Sequence, residues 1–213
     1  MGVRFKLWIW MALPVGLWAS AALGAGADVE ARLNQVMGND QARVAAAAAG
    51  KRAAFFCENC HGATGNSSLD HVPNLAGQHA FYLLTQIDKF GDGRRKDEFM
   101  SGLVKVLKPE DRFNIAVFYA TQEVVPTVVK DTRQIQAGRD HYLRACRGCH
   151  GADGRGTREV ARLAGQRQGY LMNAMRDYRA GRGLRADPRM TSVAKGLSDA
   201  QIEALASYLA SLK

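Results

Sequence analysis

The chain has 213 residues, 47% of them hydrophobic and 23% charged, with a formal net charge of +9 and four cysteines. That length admits one domain of ordinary size or two small ones. After the N-terminal apolar run no stretch approaches the roughly 20 apolar residues of a spanning helix, which excludes a chain that crosses a bilayer repeatedly.

Residues 1–27 read as a signal peptide. Arg4 and Lys6 form a basic start, an apolar run follows from Leu7 to Leu23, and Ala25-Gly26-Ala27 has the small-residue pattern of a cleavage site. An uncleaved anchor is the alternative, which Pro14, Gly16 and the shortness of the run disfavour. Residues 28–43 form an N-terminal extension that fits an extra helix, a partner contact or a tail. A helix over 43–57 then leads into CENCHGATG, and another is expected over 78–90. Pro109 at a first helical position, with Glu110 and Asp111 in the first turn, opens the last helix of this half. Valines at 124, 125, 128 and 129 around Pro126 suggest an extended linker. Helices are next expected over 133–146 and 166–180. The final helix opens on a Ser198/Gln201 capping box and carries Ile202, Leu205, Leu209 and Leu212 on one stripe. No convincing run of alternating strand residues occurs, so the expected fold class is all-α.

The second half repeats the first. CRGCHGADG at 146–154 matches CENCHGATG at 57–65, RLAGQ at 162–166 matches NLAGQ at 74–78, and Met190 matches Met100. A repeat of about 89 residues present only twice means two similar domains and not a solenoid. Their expected bounds are 44–125 and 126–213. Four cysteines in an exported chain could form two disulfides. However, Cys57 and Cys60, like Cys146 and Cys149, lie one helical turn apart and precede a histidine directly, which is the attachment sequence of c-type haem. A zinc site would want further Cys or His pairs. Two covalently attached haem c groups are therefore expected, with His61 and His150 as proximal iron ligands. Met100 and Met190, at repeated positions in loops before the last helix of each half, are the candidate sixth ligands. A lone methionine usually only packs; Met172 and Met175 have no methionine partners in the first half and read as packing. His71, His79 and His141 have no histidine counterparts and read as surface or structural residues, not ligands. His/Met ligation fills both axial positions, which suits passing electrons and not activating a small molecule.

With these motifs, the chain resembles the dihaem cytochrome c4 family over about residues 44–213. Each half is similar to a class I cytochrome c. The resemblance implies two tandem class I domains related by an approximate two-fold axis, and a periplasmic electron carrier, not an enzyme. It also implies a proline whose carbonyl accepts the proximal histidine's ring N–H. Pro73 fits that role, but Ala161 stands at the matching place, so a less firmly held second histidine and unequal haem potentials are expected.

Charge divides unevenly between the halves. Residues 28–125 carry 11 Lys and Arg against 12 Asp and Glu, and residues 126–213 carry 16 against 8. A basic half joined to a near-neutral one can orient the molecule towards an acidic surface. Arg155, Arg158, Arg162, Arg167, Arg182, Arg185 and Arg189 are the expected steering residues. Partners are thus redox proteins with acidic docking surfaces, the quinol-oxidising complex and terminal oxidase that the resemblance implies. Nucleic acid is not an expected partner of an exported haem protein, and loose membrane association stays open. The alternative is a dihaem electron-accepting subunit of a periplasmic dehydrogenase, such as a sulfide-oxidising flavoprotein.

Overall fold

The computed structural model describes residues 19–127, 129, 132–185 and 187–213, with side chains from residue 28 onwards. Of the signal peptide expected over 1–27, residues 1–18 and the side chains of 19–27 lie outside the described residues. The first half contains α1 (Ala19–Gly38), α2 (Asp40–Ala53), α3 (Glu58–His61), α4 (Ala80–Gly91), α5 (Glu98–Lys105) and α6 (Pro109–Ala120). The second contains α7 (Ile135–Ala145), α8 (Arg147–His150), α9 (Gln168–Ala180), α10 (Pro188–Lys195) and α11 (Asp199–Ser211). Among the described residues the only β pairing is an isolated bridge between Arg95 and Arg185. No described helix is long and apolar enough to cross a membrane.

Each half is built on the crossing of the helix before its cysteine motif with its last helix, α2 with α6 and α7 with α11. Glycine permits the approach. A Cβ on Gly50 would lie 2.0 Å from the Asn114 carbonyl oxygen, and one on Gly138 would lie 2.0 Å from the Ala204 carbonyl oxygen. A side chain at either position would force the helices apart. Around the first crossing Phe113, Ile115, Val117 and Tyr119 are buried, and around the second Tyr142, Ile202, Leu205 and Leu209. Each such side chain contributes roughly 1.5–3 kcal/mol. α11 starts on the expected capping box, with Ser198 and Gln201 bonding each other's backbone N–H. Leu212 falls just past the helix as its C-terminal cap and packs half-buried on the second core.

Several boundaries differ from expectation. α4 and α9 start two residues late, because Gln78 and Gln166 turn away to bond the opposite half. α2 stops at Ala53, and a tight turn with the Cys57 N–H bonded to the Ala54 carbonyl feeds the cysteine motif. Met100 and Met190 lie in short helices and not in loops. Asp97 caps α5 by accepting from the Met100 N–H at 2.9 Å, and Asp187 caps α10 by accepting from the Met190 N–H at 3.3 Å.

The N-terminal extension is helical. Leu33 is 3% exposed and packs into the first core with Val36 and Met37. Arg32 lies 4.0 Å over the Phe113 ring and donates to Glu110 at 2.6 Å. Glu30 pairs with Arg158 of the second half, so α1 touches both halves. Leu33→Ala should lower the stability of the haem-loaded protein by about 2–5 kcal/mol in denaturant unfolding. Val29→Ala, at an exposed position of the same helix, should change it by about 0.5 kcal/mol or less.

Candidate haem sites and the seam between them

α3 and α8 are single helical turns that open directly after Cys57 and Cys146. The His61 N–H bonds the Cys57 carbonyl at 2.9 Å and the His150 N–H bonds the Cys146 carbonyl at 3.1 Å. Both imidazoles are buried, each 7% exposed. His61 Nδ1 donates to the Pro73 carbonyl at 2.8 Å, and His150 Nδ1 donates to the Ala161 carbonyl at 2.9 Å. A carbonyl can only accept, so Nδ1 carries the proton and Nε2 keeps its lone pair. Burial lowers both histidine pKa values and keeps the rings neutral, against the raising effect of the same carbonyls. With no proline at 161, the Ala161 carbonyl still takes the bond, as a backbone carbonyl can.

The two sites open into one continuous cavity of about 550 Å³. Cys57, Cys60, His61 and Met100 line it from the first half, and Cys146, Cys149, His150 and Met190 from the second. Its apolar walls include Leu83, Phe90, Leu171 and Leu197. No disulfide joins the four cysteines, and burial pushes the thiols of Cys57 and Cys146 up in pKa, the latter to about 11. No cluster of three or more His, Cys, Asp or Glu that would hold a bare metal ion occurs among the described residues. Thiols beside a neutral imidazole with an available Nε2, a thioether on the same cavity and apolar walls make a donor set that fits a covalently attached haem in each half. Met175 is buried in the second core and Met172 packs against it. His79 caps α4, accepting weakly from the Phe81 N–H at 3.3 Å, and His71 is exposed at the cavity rim.

The seam between the halves was hidden in the sequence. Gln166 accepts from the Asn74 N–H at 2.7 Å and donates to the Asn74 carbonyl at 2.9 Å. Gln78 does the same to Arg162, at 3.0 and 2.7 Å. These are corresponding positions of the two LAGQ segments, and such reciprocity is what a two-fold relation produces. Gly77 and Gly165 in the same segments donate to the Tyr119 and Leu209 carbonyls, both at 3.0 Å, tying the seam to the last helix of each half. Asp70 adds bonds to the Gly169 and Tyr170 N–H groups. Arg95 and Arg185, from opposite halves, both donate to the Tyr170 hydroxyl. Burial opposes ionisation of that phenol, but the Arg185 and Arg95 charges outweigh it and draw the pKa down to about 8. The signal available in the sequence was a glutamine repeated within an apolar segment.

The expected steering arginines have partners within the chain or are partly buried. Arg162 and Arg185 serve the seam, and Arg167 has a buried Nε. Arg155, Arg158, Arg182 and Arg189 pair with Asp153, Glu30 and Glu159, Asp177 and Asp187 respectively. The exposed arginines that make no ion pair among the described residues include Arg144 and Arg147, which flank Cys146.

Two helical bundles, each offering a CxxCH turn and a methionine to a shared cavity, define the class: a c-type cytochrome with two haem sites. The family model described as cytochrome c matches residues 135–213. Cytochrome c4 of Pseudomonas aeruginosa is 36% identical over 177 residues, 78% of this chain and 88% of that protein. The crystal structure of reduced recombinant cytochrome c4 from Pseudomonas stutzeri superposes with a TM-score of 0.71 at 31% identity, covering 78% of this chain and 98% of that one. A protein of Stutzerimonas stutzeri named as a thiosulfate dehydrogenase electron acceptor is 29% identical, covering 75% of this chain and 80% of its own. The chain belongs to the cytochrome c4 family, and is a dihaem electron carrier with two covalently bound haem c groups that exchanges electrons with redox proteins.

Gln166→Leu should destabilise the protein by about 2 kcal/mol or more, since it strands a buried donor and acceptor on Asn74. Arg155→Ala, at an exposed position whose pair with Asp153 is also exposed, should leave the unfolding midpoint nearly unchanged.

Proposed function

We propose that the protein is a periplasmic carrier passing electrons by outer-sphere transfer from a quinol-oxidising complex to a terminal oxidase. Residues 1–27 act as a cleaved signal peptide, and residues 44–125 and 126–213 each form one haem domain. Cys57 and Cys60 attach the first haem and Cys146 and Cys149 the second. His61 with Met100, and His150 with Met190, supply the axial ligands. When bound, the haem supplies a one-electron iron couple whose potential a His/Met pair raises above that of two imidazoles. The chain's own part is to present a neutral Nε2 by occupying Nδ1, to anchor each methionine on an Asp-capped turn, and to wall off water with apolar side chains.

The observation that carries this reading is that both halves build the same site: a buried imidazole held by a backbone carbonyl, and a methionine one turn into an Asp-capped helix. A centre with both axial positions filled favours electron transfer over catalysis. The likeness to an electron acceptor of thiosulfate dehydrogenase supports a second reading, in which the chain is the dihaem electron-accepting subunit of a periplasmic dehydrogenase.

Met100→Ala and Met190→Ala should each remove one methionine-ligated low-spin signal and lower one of the two potentials in a spectroelectrochemical titration. Native spectra in both variants would overturn the ligand assignment. Size-exclusion of a periplasmic extract should show the haem peak at the size of one mature chain, free of flavin. Co-elution with a larger enzyme would favour the second reading.

A further inference from the structure

The two halves share a fold but present different surfaces beside their sites. In the first half Phe55 and Val106 stand outside the cavity lining and are 63% and 78% exposed, and Phe56 and Phe99 line the cavity beside the first site. Phe55 and Phe56 directly precede Cys57 and pack edge to face at 5.3 Å, and Phe99 directly precedes Met100. Val106 caps α5, the helix that carries Met100. The corresponding positions of the second half are Arg144, Ala145, Arg189 and Gly196. Within the cysteine motif itself, Glu58 stands where the second half has Arg147. Nearby charges on the first half, Lys51, Arg52 and Lys105 against Glu58 and Glu98, come close to balance. The same backbone therefore carries an apolar, near-neutral rim around one site and a basic rim around the other.

Exposed aromatic and aliphatic clusters of this kind mark interaction sites, and the centres of protein interfaces are rich in aromatics and poor in charge. The rim adjoins Cys57 and Met100, so whatever covers it lies beside the first redox site of an electron carrier. We infer that the apolar rim of the first half is the docking surface for a redox protein with an apolar face of little net charge, distinct from an acidic partner that meets Arg144 and Arg147 on the second half. The carrier then exchanges electrons at both ends, and surface chemistry sorts which partner meets which haem. This rests on the proposal that each half holds a haem.

The test is stopped-flow oxidation of the reduced two-haem protein by two one-electron reagents. Carboxyferrocenium is a zwitterion with no net charge whose cyclopentadienyl faces are apolar, and hexacyanoferrate(III) is an anion; each takes one electron as haem Fe(II) becomes Fe(III). Phe55→Ser with Val106→Ser, both outside the cavity lining, should slow the carboxyferrocenium reaction severalfold and leave the hexacyanoferrate rate unchanged. Arg144→Glu with Arg147→Glu should do the reverse, slowing hexacyanoferrate by about tenfold; a glutamate already occupies the position of Arg147 in the first motif. Raising ionic strength should slow only the anion. If either double variant changes both rates equally or neither, the inference fails. It also fails if the unaltered protein forms a dimer that Phe55→Ser with Val106→Ser abolishes in light scattering, or binds phosphatidylcholine vesicles through this rim in co-sedimentation, since a second copy or a lipid surface would then be the occupant. Haem content and low-spin spectra from the same samples test the proposed function separately, so an intact two-haem spectrum with the wrong rate pattern overturns only the docking surface.

Discussion

The close crossing of α2 with α6, and of α7 with α11, is the constraint from which the rest of the molecule follows. Gly50 and Gly138 let the helix axes approach to a distance at which any side chain would strike a carbonyl. One helix of each crossing leads into the cysteine motif, α2 through a tight turn and α7 with only Cys146 between it and α8. The other receives the N–H of Gly77 or Gly165 near its end, and so holds the LAGQ segment at the seam. A single packing contact thus sets where the thiols and imidazole stand and where the two halves meet. The apolar core of each half gathers around one crossing and is small, and the domains are of the size that leans on a cofactor for stability.

The seam gives the two sites a common frame. Its strongest elements are side-chain amides on backbone groups, not ion pairs. Each amide satisfies both the N–H and the carbonyl of one residue, and each is buried, so solvent cannot substitute for the partner. α1 adds a strap across the same boundary, with Leu33 in the first core and Glu30 on Arg158. Electron exchange between two centres depends on their separation, and a seam of this kind holds that separation steadier than the linker alone would.

Duplication with later divergence accounts for the remaining pattern. Positions that build the site recur in type: the cysteines, histidines, methionines, the Asp caps and the seam glutamines. Positions that face outward beside the site do not, and there phenylalanine and valine on one half oppose arginine and glycine on the other. The substitution of Ala161 for Pro73 shows the same logic from inside, since the function of that residue is carried by its carbonyl, which either residue supplies.

The sequence by itself determined the helical class, the two-fold repeat, the cysteine motifs and the capping of α11, because each depends on contacts within a few residues or on direct comparison of the halves. The Asp97 and Asp187 caps, three residues before each methionine, came only with the structure, since both segments read as loops. Only the tertiary structure decided that Leu33 belongs to the core, that Gly50 and Gly138 are contact points, and that Gln78, Gln166 and most of the second half's arginines serve the seam or local pairs. Those roles depend on which distant segments face each other: a glutamine or arginine has the same local pattern whether it meets water, a carboxylate or another half's backbone.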